Sequence, residues 1–179
     1  MRVISGKYKG KKLDGFGIPG TRPTMDRVKE SLFGSIQNHI KDSIVLDLFA
    51  GTGSLGIEAL SNGAQKCFFV DSSLAIEKAL KRNLDGIENA YLLAMDYQLA
   101  LQRLKKDKVK FHLVFLDPPY HLNLLNAAIR KIESLDLLEK GALIVCEFDS
   151  EVPIVDGNKY TLKKAKKYGD KNIFIYKFE

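Results

Sequence analysis

From Ser43 onward the chain alternates short apolar runs with amphipathic stretches, and this alternation limits the fold more than any other feature. "SIVLDLF", "KCFFVD", "AYLLAMD", "FHLVFLD" and "GALIVCEF" are the apolar runs. Between them lie "SLGIEALSNG", "SSLAIEKALKRNLDG", "YQLALQRLKK" and "LNLLNAAIRKIESL". In the second of these, Ala75, Ile76, Ala79, Leu80 and Leu84 recur at helical spacing. Strands alternating with helices build βαβ units and a mostly parallel sheet covered on both faces, joined by right-handed crossovers. The C-terminal "YTLKKAKKYGDKNIFIYKF" breaks the rhythm. It reads as two strands around a turn at Tyr168–Lys171, an antiparallel hairpin that closes the sheet. The expectation is an α/β fold with a seven-stranded, mostly parallel sheet.

The first forty residues follow a different pattern. "RVISGKYKGKKL" alternates around a Gly-Lys turn, "GFGIPGTRP" is loop, and "TMDRVKESLFGSI" predicts a helix with Thr24 as N-cap and Asp26 in its first turn. Val28, Leu32, Phe33 and Ile36 form its apolar face. Residues 1–41 are therefore expected to be a basic hairpin-and-helix extension of a main domain at 42–179. Charge follows the same division. Residues 1–41 hold nine Lys/Arg against three Asp/Glu, residues 42–155 twelve against sixteen, and residues 156–179 seven against three. Basic flanks around a mildly acidic middle suit a polyanion partner held by the ends.

No apolar run approaches the ~20 residues of a membrane span, and the basic N-terminus lacks the apolar core of a secretory signal. Cys67 and Cys146 sit inside apolar runs and read as small core residues. A cytoplasmic protein, monomeric by default, is the expectation. His39, His112 and His121 have no metal-ligand spacing, so no metal is expected.

"LDLFAGTGSLG" leaves the first strand of the alternating region. Gly51, Gly53 and Gly56 fit G-x-G-x-x-G, and Asp71 ends the next strand twenty positions after Gly51. Glycines allow a tight turn and close approach to a ligand, and the helix start offers free N–H groups. A carboxylate at Asp71 can accept both hydroxyls of a ribose. Any adenosine-bearing cofactor could use this loop, NAD included. Asp47, four residues before Gly51, tilts the choice. A carboxylate would repel a pyrophosphate but attract a cation, which favours S-adenosylmethionine with its ammonium and sulfonium. Asp96 and Asp117 end the next two strands. Each of the four aspartates could be a helix cap, yet together they mark the carboxyl edge where ligands of open parallel sheets bind.

Asp117 is followed by Pro118, Pro119 and Tyr120. Two prolines end ladder pairing and hold the backbone extended. The Asp117 carboxylate and the Pro118 carbonyl then form a fixed pair of acceptors for the two N–H groups of an exocyclic amine. Tyr120 can stack on the base that carries it.

"DLFAGTGSLG" with "DPPY" resembles the class I methyltransferases that modify exocyclic amino groups, whose Rossmann-like fold the alternation above matches. "RVISGKYKGKKL", "TRPTMDRVKESLF" and "KKYGDKNIFIYKF" extend the resemblance, nearly end to end, to the bacterial small-subunit ribosomal-RNA guanine-N2 methyltransferases of the RsmD type. The resemblance implies that Asp47, Phe49, Gly51 and Gly53 line the methionine end of the cofactor, that Asp71 holds the ribose and that Asp96 holds the adenine amino group. It gives Asp117, Pro118, Pro119 and Tyr120 to the target base, and Arg22 or Thr24 to the cofactor carboxylate, with phosphate an equal role for Arg22. It implies 16S rRNA in the small ribosomal subunit as partner, with the hairpin at 2–12 and the lysines at 163–167 on its backbone. The alternatives are an N6-adenine DNA methyltransferase, a non-catalytic RNA-binding assembly factor with a vestigial pocket, and an NAD-dependent oxidoreductase.

Overall fold

The structure, a computed structural model, describes residues 1–15, 26–118, 122–148, 158–169 and 171–179. Parallel strands β1 (Ile44–Leu48), β2 (Lys66–Asp71), β3 (Ala90–Ala94), β4 (Phe111–Leu116) and β5 (Leu138–Phe148) lie in the order β3-β2-β1-β4-β5. The chain then adds β6 (Tyr160–Tyr168) and β7 (Lys171–Phe178). β7 runs antiparallel between β5 and β6, so the sheet reads β3-β2-β1-β4-β5-β7-β6, with β3 and β6 as its edge strands. The expected seven strands and terminal hairpin are present.

Because side chains alternate along a strand, each strand feeds two cores. Val45, Cys67, Phe69, Leu113, Phe115, Val145, Ile173 and Ile175 face helices α1 (Asp26–Ile36), α2 (Ser54–Ser61) and α3 (Leu74–Leu84). Leu46, Leu48, Val70, Val114, Leu116, Ile144 and Cys146 face α4 (Tyr97–Lys106) and α5 (Leu122–Ser134). Burial of each large side chain contributes about 1.5–3 kcal/mol, and the division explains why the strands read as continuous apolar runs. Among the described residues, no helix is long and apolar enough to cross a membrane.

Two details differ from the expectation. The buried face of α3 is Ile76, Ala79, Leu80 and Asn83, with Leu84 partly buried against the same core; of the expected stripe only Ala75 is exposed. The spacing i, i+3, i+4, i+7 still holds, but an amide takes its last place. β5 also begins at Leu138, before the apolar run that announces it, because Leu138 pairs with Phe111 ahead of an irregularity in the ladder.

The N-terminal hairpin, bridged by Arg2 and Lys12, packs into the same core as α1 to α3 through Val3 and Leu13. Its anchor is Glu58 on α2, which is fully buried. The Glu58 carboxylate accepts the N–H groups of Ile4 (3.0 Å) and Ser5 (2.9 Å), the Ser5 hydroxyl (2.9 Å) and the ammonium of Lys29 on α1 (3.3 Å). Lys29, also fully buried, donates to the Arg2 carbonyl at 2.6 Å. Gly6 lies against α2 with φ +78°, where a Cβ would stand 1.9 Å from the Ser61 carbonyl oxygen.

Candidate active site

Strand register aligns the carboxyl ends of the central strands. Leu48 pairs with Val70 on one side and Leu116 on the other, so Phe49, Asp71 and Asp117 each follow the same rung. Asp71 pairs with Ala94, the last residue of β3, which places Asp96 two residues beyond the end of that strand. Asp47 lies one rung deeper, on the α2 side of the sheet, opposite Phe69 and Phe115.

The loop after β1 is built on positive backbone angles. Phe49 (φ +66°), Gly51 (φ +55°) and Gly53 (φ +77°) all adopt the left-handed region. For Phe49 this costs about 1–2 kcal/mol. Its ring is held at 5.4 Å from that of Tyr97, the first residue of α4. Gly56 serves packing: a Cβ there would stand 2.3 Å from the Phe69 ring and 2.7 Å from the Cys67 sulfur, so α2 rides directly on β2. At Gly51 a Cβ would meet nothing within 4 Å, so the loop faces open space there. The adjoining start of α2 has no side-chain cap, and the buried Ser54 hydroxyl finds no partner among the described residues.

Asp47 is almost fully buried, and one of its oxygens accepts the Gly56 N–H at 2.9 Å. Burial pushes its carboxyl up to about 8; the Gly56 N–H opposes the shift, and the negative charges of Asp117 and Asp71 add to it. Asp71 is half-buried and accepts the N–H groups of Gly51 and Ser73, each at 2.9 Å, so it ties the glycine loop to the end of β2. Asp96 is exposed and caps α4, with one oxygen accepting the Gln98 N–H at 2.8 Å. Asp117 is half-buried and Pro118 buried at the end of β4. Arg22, Thr24, Pro119, Tyr120 and His121 lie outside the described residues, as does the predicted cap of α1.

Asn83 is a site-supporting residue that sequence reasoning missed. It is buried, and its amide donates to the Thr52 carbonyl in the glycine loop (2.9 Å) and to the Asp14 carbonyl (3.0 Å). Its oxygen accepts the Asp14 N–H at 2.7 Å. The end of the hairpin is thereby fixed to the loop, two residues before the segment that carries Arg22. A polar residue at a helix-face position was the available signal. The basic hairpin is also less free than its composition implies. Lys7 pairs with Glu88 at 2.8 Å and Lys11 donates to the Asp85 carbonyl at 2.7 Å, which leaves Lys9 and Lys12 exposed.

A seven-stranded mixed sheet with a glycine loop after β1 and Asp-Pro after β4 defines the class I methyltransferase fold, and solved structures agree. A provisionally assigned methyltransferase of Escherichia coli, yhhF, superposes with a TM-score of 0.85 at 30% identity over 100% of this chain and 98% of its own. The family described as "Conserved hypothetical protein 95" matches residues 1–177, and the chain belongs to it. YlbH of Bacillus subtilis, provisionally named an rRNA methyltransferase, is 39% identical over 99% of this chain and 98% of its own. The ribosomal RNA small subunit methyltransferase D of Haemophilus influenzae is 37% identical over 98% of this chain and 93% of its own.

Proposed function

We propose that this protein transfers a methyl group from S-adenosylmethionine to ribosomal RNA, and that the acceptor is the exocyclic N2 of a guanine in 16S rRNA. The observation that carries the cofactor half is the group of Asp47, Asp71 and Asp117 around the loop, in which two negative neighbours help to keep a buried carboxyl protonated. A pyrophosphate would add to the negative charge of this group, whereas a cation would offset it. The open space at Gly51 and the unpartnered Ser54 hydroxyl fit a polar ligand at the start of α2.

S-adenosylmethionine would supply an electrophilic methyl on a sulfonium. Asp47, Gly51 and Gly53 would hold its methionine end, Asp71 the ribose, and Asp96 the adenine amino group. Phe49 and Tyr97 offer an aromatic wall beside them. Arg22 or Thr24 is assigned to the cofactor carboxylate. The Asp117 carboxylate and the Pro118 carbonyl accept the two N–H groups of the target amine, which turns its lone pair out of conjugation with the ring. Pro119 keeps that pair of acceptors aligned and Tyr120 stacks on the base. Asp117 also stabilises the positive charge that the nitrogen gains, until its proton leaves to water.

Ribosomal RNA as substrate follows from belonging with relatives of that name along nearly the whole chain. The amino-group chemistry is supported by the Asp-Pro-Pro-Tyr sequence after β4. The test is methyl transfer from labelled S-adenosylmethionine to small subunits lacking the modification. Transfer that falls at least a hundredfold in Asp117→Ala supports the reading, and wild-type protein that binds the cofactor but labels no rRNA refutes it.

A further inference from the structure

One side of α1 is polar and meets the edge of the sheet: the Tyr168 hydroxyl donates to the Ser31 hydroxyl at 2.5 Å, and the Ser35 hydroxyl donates to the Ser31 carbonyl at 2.7 Å. Arg27, Ser31 and Ser35 share a stripe at i, i+4 and i+8. Asp26 and Glu30 lie on the neighbouring stripe, where with Arg2, Lys9 and Gln37 they line a cleft of about 580 Å3 against the hairpin. Gly34 continues the stripe of Asp26 and Glu30 and lines the same cleft, beside Ser31 and Ser35. It is exposed, its backbone is helical, and a Cβ there would meet nothing within 4 Å. Neither φ nor packing asks for glycine, which weakens a helix relative to any ordinary residue. A bare backbone at Gly34 leaves that side of the helix open to close approach.

The adjacent edge strand supplies charge. Lys164 pairs in register with Ile175 and Lys166 with Ile173, and both isoleucines belong to the α1-side core, so both lysines stand on the α1 side. The Lys164 ammonium donates to the Ser35 hydroxyl, and that of Lys166 to the Ser31 hydroxyl at 3.2 Å. Lys166 also lies 4.9 Å over the Tyr168 ring. These partners are hydroxyls and a ring face, so neither charge is neutralised by them. The two lysines are one β-repeat apart, about 7 Å, on the scale of successive phosphates. Register also relates them to the site. Leu116 pairs with Cys146, Glu147 with Ile173 and Ile173 with Lys166, which puts Lys166 in the cross-sheet row of Asp117, three strands or about 14 Å away.

We propose that the seam between α1 and β6 is the track for the RNA backbone. Lys164 and Lys166, with Ser31 and Ser35, bind consecutive phosphates of the strand whose target base enters at Asp117, and Gly34 admits that backbone against the helix. The inference rests on the reading of rRNA as substrate. It divides the sequence-level basic patch at 163–167: the seam uses its α1-facing lysines, whereas Lys167 pairs with Asn172 in the alternate register position.

The test is filter binding of a protein-free 16S rRNA transcript across a salt series, with binding of S-adenosylhomocysteine and thermal unfolding as controls. Lys164→Ala/Lys166→Ala makes the slope of log K against log salt shallower by about 1.4, two contacts at single-strand strength. Gly34→Leu weakens binding by about tenfold at unchanged slope, through a clash, while its Tm equals or exceeds the wild-type value because leucine favours the helix. Wild-type binding and slope in both variants would overturn the inference. So would variants that bind naked rRNA normally but lose methylation of assembled subunits, since the seam would then meet a ribosomal protein. Wild-type protein that binds S-adenosylhomocysteine but not rRNA would overturn the substrate reading, and the track with it.

Discussion

The Asn83 side chain on α3 reaches the Thr52 carbonyl of the glycine loop at 2.9 Å while holding both backbone polar groups of Asp14. One buried amide thus couples the N-terminal hairpin to the proposed cofactor loop. Asn83→Ala strands buried polar atoms on both partners and should cost about 1–3 kcal/mol. Amide hydrogen exchange should rise at Asp14, and affinity for S-adenosylhomocysteine should fall. Unchanged exchange at Asp14 would mean that other contacts fix this segment.

Asp47 makes stability depend on pH in a defined direction. Its carboxyl is raised to about 8 in the folded chain, mainly by burial, against an ordinary value of 3.8. The folded state therefore holds a proton that the unfolded state releases. The stabilisation is complete below about pH 4 and is lost as pH rises through about 8. Asp47→Asn should flatten the fall in stability across that window, measured by denaturant unfolding at a series of pH values. Binding of a cationic cofactor near pH 7 should expel the proton, visible as buffer-dependent binding heat that the variant lacks.

The contact of α2 with β2 leaves no room for a methyl group at Gly56. Gly56→Ala should cost about 1–3 kcal/mol from overpacking, despite the better helix propensity of alanine. A pairing of Gly56→Ala with Phe69→Leu should recover part of the loss in thermal unfolding. No recovery would place the strain elsewhere.

Lys29 and Glu58 bury opposite charges between α1, α2 and the hairpin. Removing one member leaves the other buried without its partner, so Lys29→Met should cost about 3–5 kcal/mol. Because Glu58 also holds Ile4 and Ser5, Glu58→Gln should release the hairpin and expose it to trypsin at Lys7, Lys9 and Lys11. Equal protease resistance in variant and wild type would contradict this anchoring role.

The sheet could be read from the chain because its strands are buried on both faces and announce themselves as apolar runs. The common edge of Asp47, Asp71, Asp96 and Asp117 followed from the same alternation. Lys29, Glu58 and Asn83 were hidden because each looks like an ordinary helix-surface residue until its partner arrives from more than twenty-five positions away. Asp96 shows the opposite limit. Its place at the edge was predictable, but a carboxylate just before a helix serves as a cap whatever else it binds. The division of the β6 lysines depends on an irregularity between Leu162 and Lys164, which shifts the register and which no periodicity in this lysine-rich stretch reveals.

The most direct measurement is the identity of the methylated nucleoside. Small subunits lacking the modification would be incubated with the protein and S-adenosylmethionine, and their RNA digested and analysed by mass spectrometry beside duplex DNA. N2-methylguanosine from the 16S rRNA, absent with Asp117→Ala, is the predicted product. N6-methyladenosine, or transfer to DNA alone, would contradict the proposed substrate while leaving the amino-group chemistry of Asp117 and Pro118 in place.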